Sequence, residues 1–327
     1  MTDIAAIEAA AARLAGHARR TPLLSSPFLD AIAGRRVLVK AECLQHTGSF
    51  KFRGAWSAVS ALDDATRSRG VIAFSSGNHA QGVALAARMH GVSSVIIMPV
   101  DAPALKIANT RALGAEVVLY DRATEDRDAI GAQLSADRGL TLIKPFDNAM
   151  VIAGQGTTGL EIAEQAAGEG VTHADVLVCC GGGGLASGIA LALETRAPGL
   201  RVRTAEPFGF DDMARSLEAG RPLRNAVLSG SICDAIVTPE PGKLTFPILQ
   251  RLAGPGLVVS DDQALHAMAL AWQRLKIVLE PGGAVALAAA LFHPETIQGD
   301  AVVCVASGGN VDQPVFARAL AVSLAAG

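Results

Sequence analysis

The chain has 327 residues, half of them apolar and only 4% aromatic, so it is long enough to build two lobes of closely packed helices and strands. A formal net charge of −3 and an isoelectric point near 6.2 argue against a strongly basic surface, so we expect no nucleic-acid partner. No uncharged run reaches the roughly 18 residues of a membrane helix, and five cysteines without a CxxC spacing predict reduced thiols in a cytoplasmic protein.

The N-terminus predicts an alanine-rich amphipathic helix rather than an apolar signal segment, because Asp3, Glu8 and Arg13 fall within it. From residue 71 onward, short apolar strands alternate with helical stretches, which is typical of an α/β fold. The predicted pairs are Val71–Phe74 with Asn78–Met89, Ser94–Met98 with Ala102–Leu113, and Glu116–Leu119 with Thr124–Asp137, followed by a strand near Leu142. These units predict a small, mobile lobe, residues 70–145.

A larger, discontinuous lobe is predicted for residues 1–69 and 146–327. Its predicted strands are Val176–Cys180, Val202–Ala205 and Val302–Val305. The segments 206–208 and 239–242 contain proline and are predicted to be loops.

The segment Thr47–Gly54 places one lysine, Lys51, between Phe50 and Phe52 in a small-residue turn. Desolvation there would lower the lysine pKa and supply free amine for Schiff-base chemistry. The alternative is a lysine at a helix start whose amine simply reaches solvent.

Three further turns follow apolar strands, at the edge where α/β sheets bind ligands. The residues concerned are Ser75, Ser76, Gly77, Asn78 and His79; Gly181, Gly182, Gly183 and Gly184; and Ser307 to Asn310. The first turn suits an anion at a helix N-terminus and the second a phosphate, while Ser307 in the third could present a neutral hydroxyl to the cleft. The alternatives are a helix cap for the first turn, a tight packing turn for the second and an ordinary glycine-rich turn for the third.

Together these segments supply an amine for an aldehyde, a cradle for a phosphate, an amide for a ring oxygen and a hydroxyl for a ring nitrogen. The motifs GSFKFRGA, SSGNHAQG, GQGT, GGGG and SGGN, in this order, closely resemble the serine/threonine dehydratase and serine racemase family over nearly the whole chain. That resemblance implies pyridoxal 5′-phosphate as cofactor. It also implies the α/β fold of fold-type-II enzymes, which is like the tryptophan synthase β subunit and has two open, twisted, mostly parallel sheets with flanking helices.

The resemblance also implies roles for individual residues. Lys51 matches the Schiff-base lysine, and Phe50 packs against the cofactor ring. Asn78 matches the partner of the ring hydroxyl, Gly181–Gly184 the phosphate loop, and Ser307 the partner of the pyridine nitrogen. Residues 75–79 and Gln155, in GQGT, match the region near the substrate carboxylate. Ser76 matches the position that faces the side of Cα opposite the lysine in the racemases.

A divalent-cation site is a further implication of the resemblance. The family uses two acids six residues apart with a main-chain carbonyl between them, and Glu206, Phe210 and Asp212 have this spacing. Carboxylate and carbonyl oxygens suit Mg²⁺, Ca²⁺ or Mn²⁺. The alternative is a solvated acidic loop.

The implied reaction is β-elimination from a small β-hydroxy amino acid, which yields an enamine or imine and then a 2-oxo acid and ammonia. Racemisation with Lys51 and Ser76 on opposite faces is the alternative. A silent cofactor carrier and a β-replacement enzyme fit the motifs less well. L-serine or L-threonine and 3-hydroxyaspartate both remain open as substrates, and a hydroxyectoine-pathway dehydratase is a further option.

Three positions depart from many relatives or bear on the substrate: His46, Lys144 and Arg127. A cation near the substrate β-carbon would suit a dicarboxylate, whereas each of these residues could equally be a surface charge. The chain leaves no room for a regulatory domain, so a catabolic role is expected, and relatives are commonly homodimers.

Overall fold

The computed structural model describes residues 2–102, 104–121 and 123–325 and shows an α/β fold with two sheets, as predicted. Residue 103, inside the predicted helix Ala102–Leu113, lies outside the described residues. The strands are β1 (Leu23–Ser25), β2 (Arg36–Lys40), β3 (Val71–Phe74), β4 (Ser94–Pro99), β5 (Glu116–Tyr120), β6 (Thr141–Leu142), β7 (Ala174–Cys179), β8 (Leu200–Pro207), β9 (Leu257–Val259) and β10 (Ala301–Val305).

The helices alternate with these strands along most of the chain and cover the sheets. They are α1 (Ile4–Leu14), α2 (Pro27–Ala33), α3 (Lys51–Ser60), α4 (Asp64–Arg69), α5 (Asn78–Met89), α6 (Ala104–Ala112), α7 (Arg127–Arg138), α8 (Ala149–Gly168), α9 (Gly184–Arg196), α10 (Asp212–Ala219), α11 (Thr245–Leu252), α12 (Asp261–Leu275), α13 (Pro281–Phe292) and α14 (Gln313–Ala325).

Two sheets organise the described residues. One has the strand order β1-β2-β10-β7-β8-β9, in which only β1 is antiparallel to its neighbour. The other has the order β5-β4-β3-β6 and is parallel throughout. Parallel sheets require cover on both faces, and α13 illustrates it: its alanine-rich sequence is apolar all round, and it is buried from Pro281 to Leu291.

Several predicted boundaries move by one to three residues for local reasons. The helix predicted from Thr124 begins at Arg127, because the Asp126 carboxylate caps it by accepting the backbone N–H of Asp128 at 2.8 Å. The loop predicted at 206–208 is wrong for its first two residues. Strand β8 continues through Glu206 and Pro207, which pair with Val258 and Val259 of β9, the edge strand.

Candidate active site

A cavity of about 250 Å³ opens where parallel strands of both sheets end. Strands β3, β7 and β10 end at Phe74, Cys179 and Val305, and the turn after each contributes to its lining. This is the edge at which α/β sheets bind ligands. Of the predicted site residues, the lining contains Phe50, Lys51, Ser75, Ser76, Gly77, Asn78, His79, Gln155, Gly181, Gly182, Gly183, Gly184 and Ser307.

Lys51 is the first residue of α3, and its side chain faces the cavity. Its Nζ donates a hydrogen bond to the carbonyl oxygen of Pro145 at 2.9 Å and lies 5.0 Å from the centre of the Phe50 ring. Burial lowers the pKa of the amine to about 8, although the negative charge of Glu280 opposes this shift. At pH 7 roughly a tenth of such an amine is unprotonated, against far less than a hundredth for an ordinary lysine.

The turn between β3 and α5 presents backbone N–H groups to the same cavity. Ser75 Oγ accepts the N–H of Gly77 at 3.1 Å, which fixes the turn. Gly77 is the N-cap residue, so Asn78, the first helical residue, does not cap the helix. Because the first N–H groups of a helix have no partner within it, this end of α5 suits a carboxylate.

The side chain of Asn78 is held by two residues that the sequence did not suggest as partners. Its Nδ2 donates to Glu280 Oε1 at 2.6 Å, and its Oδ1 accepts from Asn310 Nδ2 at 2.7 Å. Glu280 is buried at the start of α13, and burial raises the pKa of its carboxyl to about 7. An acid directly before a helix-starting proline, in Glu280-Pro281, reads in sequence as a simple cap, so its role in the cavity was missed.

His79 is a neutral side chain in this structure. Burial, with the nearby positive charge of Lys51, lowers the pKa of its imidazole to about 3. Its Nε2 lies 2.8 Å from the carbonyl oxygen of Ile143, and a carbonyl only accepts, so Nε2 carries the hydrogen. His79 therefore joins α5 to the segment after β6 rather than acting as an acid.

The four glycines after β7 form a turn into α9. Gly183 has φ +90°, a conformation that side-chain-bearing residues rarely adopt, and Gly184 is the first helical residue. The turn is anchored because the carbonyl oxygen of Gly182 accepts from Thr245 Oγ1 at 2.6 Å. Open N–H groups at a helix N-terminus suit a phosphate.

Gln155 and Ser307 complete the lining from α8 and from the end of β10. Gln155 is 1% exposed, and neither amide atom has a partner among the described residues. Buried polar atoms without partners are rare in folded proteins, and here they face a cavity, so they indicate a polar ligand. The backbone of Ser307 accepts the N–H of Phe50 at 3.1 Å, which joins β10 to the loop that carries Lys51.

The described cavity lining contains none of the three positions considered for substrate specificity, His46, Lys144 and Arg127. Arg127 begins α7, is half exposed and lies 4.0 Å from the Asp128 carboxylate. Lys144 is exposed, and the His46 ring packs edge-on against Phe52 at 4.9 Å. Lys106 on α6 lines the cavity instead, with its Nζ 3.8 Å from Asp312 Oδ2.

The acids predicted to hold a metal lie away from the cavity and are buried. Glu206 Oε1 and Oε2 accept the N–H groups of Met213 and Ala214 at 2.9 and 2.8 Å. Burial, and then the charge of Asp212, raise the pKa of Glu206, while burial raises that of Asp212 to about 6. In the described residues no group of three or more His, Cys, Asp or Glu side chains is placed to hold a metal. The solvated-loop interpretation is wrong, since both side chains are 0% exposed.

Comparisons with known proteins agree with this geometry. An L-threo-3-hydroxyaspartate ammonia-lyase from Pseudomonas sp is 45% identical over 311 residues, 95% of this chain and 96% of the relative. The crystal structure of a T.th. threonine deaminase is 45% identical, with a TM-score of 0.89 over 95% of this chain and 99% of that one. The structure of maize serine racemase is 36% identical, with a TM-score of 0.90 over 99% of this chain and 98% of that one.

The sequence pattern described as "Pyridoxal-phosphate dependent enzyme" matches residues 14–308. This match spans most of the chain and includes every residue named above as lining the cavity, while Asn310, the partner of Asn78, lies two positions beyond it. The chain belongs to the family of pyridoxal-phosphate dependent enzymes.

Proposed function

We propose that this protein is an ammonia-lyase that removes the β-hydroxyl and the amino group from a small β-hydroxy amino acid. The observation that carries the proposal is the Lys51 amine, whose pKa is lowered to about 8 inside a cavity that also offers a carboxylate seat at α5. The names of the relatives, a hydroxyaspartate ammonia-lyase and a threonine deaminase, support the same class of reaction.

The cavity residues fit pyridoxal phosphate. The glycine turn before α9 offers N–H groups to the phosphate, and the partnerless amide of Gln155 lies in the same cavity. Lys51 would hold the aldehyde carbon, Asn78 the ring hydroxyl and Ser307 the ring nitrogen, with Phe50 beside the ring. When bound, the cofactor supplies an aldehyde for the substrate amine and a ring that delocalises the electron pair left when the Cα proton is removed.

Lys51 is the proposed base. Its neutral amine would take the Cα proton of the substrate, which its lowered pKa allows near neutral pH. The resulting ammonium can return that proton to the departing β-hydroxyl, which leaves as water. The N–H groups at the start of α5 hold the substrate carboxylate meanwhile. The released enamine becomes an imine, and water hydrolyses it to a 2-oxo acid and ammonia.

Racemisation is a second candidate activity of the same cavity. Ser76 and Lys51 both line it, and a hydroxyl on the face of Cα opposite the amine could return a proton there. The similarity to maize serine racemase supports this candidate. Both reactions begin with loss of the Cα proton. We propose elimination as the main activity and racemisation as the minor one, because the relatives at 45% identity are named as an ammonia-lyase and a deaminase.

For the substrate we propose 3-hydroxyaspartate, with L-threonine and L-serine as the competing candidates. The Pseudomonas relative is named for that dicarboxylate. Lys106 supplies a second cation in the cavity lining, where a β-carboxylate would need one, although Asp312 neutralises part of its charge.

The test is a 2-oxo acid assay of the purified holoenzyme with L-serine, L-threonine and both diastereomers of 3-hydroxyaspartate, together with chiral analysis of the remaining amino acid. We expect a 2-oxo acid from at least one substrate, and none from Lys51→Ala. Preference for hydroxyaspartate supports the named substrate, whereas preference for threonine replaces it. Inverted amino acid without any 2-oxo acid overturns the lyase in favour of a racemase.

We also propose a structural Mg²⁺, Ca²⁺ or Mn²⁺ at Glu206, Asp212 and the carbonyl of Phe210. Support comes from Asp212 Oδ2, which is buried and has no partner among the described residues, while Asn225 Nδ2 holds Oδ1 at 2.7 Å. A cation would offset the cost of two buried carboxylates. Addition of Mg²⁺ after chelation should raise the unfolding temperature of the native protein and leave that of Glu206→Gln/Asp212→Asn unchanged. Equal responses would exclude the site.

Three further proposals concern the whole chain. We propose that residues 70–145 move as a small lobe against residues 1–69 and 146–327. We propose a cytoplasmic protein, supported by five cysteines that are all buried and free. No helix in the described part of the chain is long and apolar enough to span a membrane. We propose a homodimer as the assembly, supported by the exposed apolar side chains Phe28 and Ile32 of α2.

A further inference from the structure

Asn78 has an amide whose two ends look alike in shape but not in chemistry, so its orientation decides what it offers to the cavity. On one side it meets Glu280 Oε1, 2.6 Å from Nδ2. Above its raised pKa of about 7, Glu280 is a carboxylate with only acceptor oxygens, so it can pair with the amide nitrogen and not with the amide oxygen. Glu280 therefore selects one of the two orientations.

Asn310 selects the same orientation independently. Its Nδ2 donates to the carbonyl oxygen of Thr47 at 2.7 Å, and this contact fixes which end of Asn310 is the nitrogen. The same Nδ2 donates to Asn78 Oδ1 at 2.7 Å, so Asn78 must present its oxygen there. With the oxygen and one hydrogen occupied, the second Nδ2 hydrogen of Asn78 is left for a ligand.

The backbone around Glu280 is built to allow this contact. The N–H of Glu280 donates to the carbonyl oxygen of Gly308 at 3.1 Å, so the acid is tied to the turn after β10. A Cβ atom on Gly308 would lie 2.1 Å from Glu280 Oε1, so a side chain there would displace the carboxylate from its position beside Asn78. Three segments far apart in sequence thus converge on one amide.

We propose that Glu280 is a positioning residue, which acts through Asn78 by aiming its free amide hydrogen at the ring oxygen of the bound cofactor. This inference rests on the proposed role of Asn78 and goes beyond it, because it assigns a function to a buried acid outside the predicted site. Since Glu280 is 7% exposed, the charge-assisted hydrogen bond to Asn78 is largely shielded from water.

The test is a double-mutant cycle read out as the affinity of the apoprotein for pyridoxal phosphate, measured by fluorescence, with the absorbance maximum of the bound cofactor as a second readout. We expect Glu280→Ala and Asn78→Ala each to weaken binding, by about tenfold for the loss of one charge-assisted hydrogen bond. The cycle is measured above pH 9, where the Lys51 amine is neutral with or without the Glu280 charge. In the Asn78→Ala background, Glu280→Ala should then have no further effect, because its route through Asn78 is absent. Glu280→Gln keeps an acceptor oxygen and should restore most of the affinity.

The outcomes separate the inference from the proposed function. Additive effects of the two alanine variants overturn the inference, since Glu280 would then act without Asn78. Unchanged affinity in Asn78→Ala overturns the role of Asn78 and the inference with it, while 2-oxo acid formation still tests the lyase. Unfolding temperatures of the apoproteins identify a misfolded variant. If Glu280→Ala unfolds, the cycle is run with Asn310→Asp, which presents an acceptor to Asn78 Oδ1 and must also weaken binding.

Discussion

At the scale of a residue, burial gives Lys51 its chemistry. The side chain begins a helix, as the alternative interpretation expected, but its amine faces a cavity and not the solvent. Desolvation penalises the charged ammonium and lowers its pKa to about 8, and the nearby Glu280 carboxylate limits the shift. The environment therefore supplies a nucleophile and base that an exposed lysine would not provide near neutral pH.

This shift predicts how the apoprotein captures pyridoxal phosphate as pH changes. Only the neutral amine attacks the aldehyde, so the rate should rise about tenfold per pH unit below 8 and level off above it. Stopped-flow absorbance from pH 6 to pH 10 measures it, with Lys51→Ala as the control that forms no band. Glu280→Gln removes a negative charge that favours the ammonium, so it should move the midpoint to lower pH. A midpoint near 10 would refute the lowered pKa.

At the scale of an element, a buried ionic cluster holds helix α3, which carries Lys51. Arg53 lies two residues beyond Lys51, and its Nε and Nη2 donate to the two oxygens of Glu42 at 2.8 Å each. Its Nη1 donates to Glu161 of α8 at 2.7 Å, and Lys40 of β2 pairs with Glu161 as well. These contacts fix the first turn of α3 to the segment directly after β2 and to α8.

Removing one member of this cluster should be costly. Arg53→Met leaves the Glu42 carboxylate, which is 0% exposed, without its guanidinium, so we expect a loss of about 3–5 kcal/mol in the free energy of unfolding. Urea titration measures it. The matched control is Arg20→Met: its partner Glu164 and Arg20 itself are more than half exposed, so the loss should stay below about 1 kcal/mol. Similar losses in both variants would contradict the structural role of the cluster.

At the scale of the whole molecule, helices α2 and α12 each leave large apolar side chains exposed. Phe28 is 58% exposed, Ile32 43% and Trp272 44%. Phe28 and Ile32 lie one turn apart on α2, and the guanidinium of Arg274 on α12 lies 4.5 Å from the centre of the Phe28 ring, so the two helices are neighbours. Grouped apolar residues on a surface mark an interface, and a second copy of the chain is the occupant we propose.

The proposed homodimer is testable by light scattering after size-exclusion chromatography. We expect twice the chain mass of 33.5 kDa for the native protein. Phe28→Glu/Ile32→Glu should give the single chain mass, because charges would have to be buried in the interface. Met89→Glu changes a side chain that is 43% exposed on α5, away from this surface, and serves as the control. A native protein at the single chain mass would refute the homodimer.

The sequence alone predicted elements whose signal is local. Apolar periodicity and turn residues predicted Val71–Phe74 and Asn78–Met89 with the bounds that the structure shows, because the small-residue turn at 75–77 marks locally where the strand ends and the helix begins. A predicted boundary was wrong where a neighbouring strand extends the element. Strand β8 continues through Pro207 because β9 pairs with it. The sequence also showed the motifs around Lys51 and at Gly181–Gly184, because each is a short, contiguous segment of unusual composition.

Only the tertiary structure decided which distant residues share the cavity. Glu280 lies 202 positions from Asn78 and Asn310 lies 232 positions from it, yet all three meet at the end of the parallel strands. In sequence Glu280 is a helix-start acid and Lys106 a helix cation, and many such residues are solvated. In the structure Glu280 and Lys106 line the cavity, whereas Arg127 of α7 and the exposed Lys144 are not part of the described lining. A local pattern carries no information about such meetings, since they follow from the order in which the strands pair.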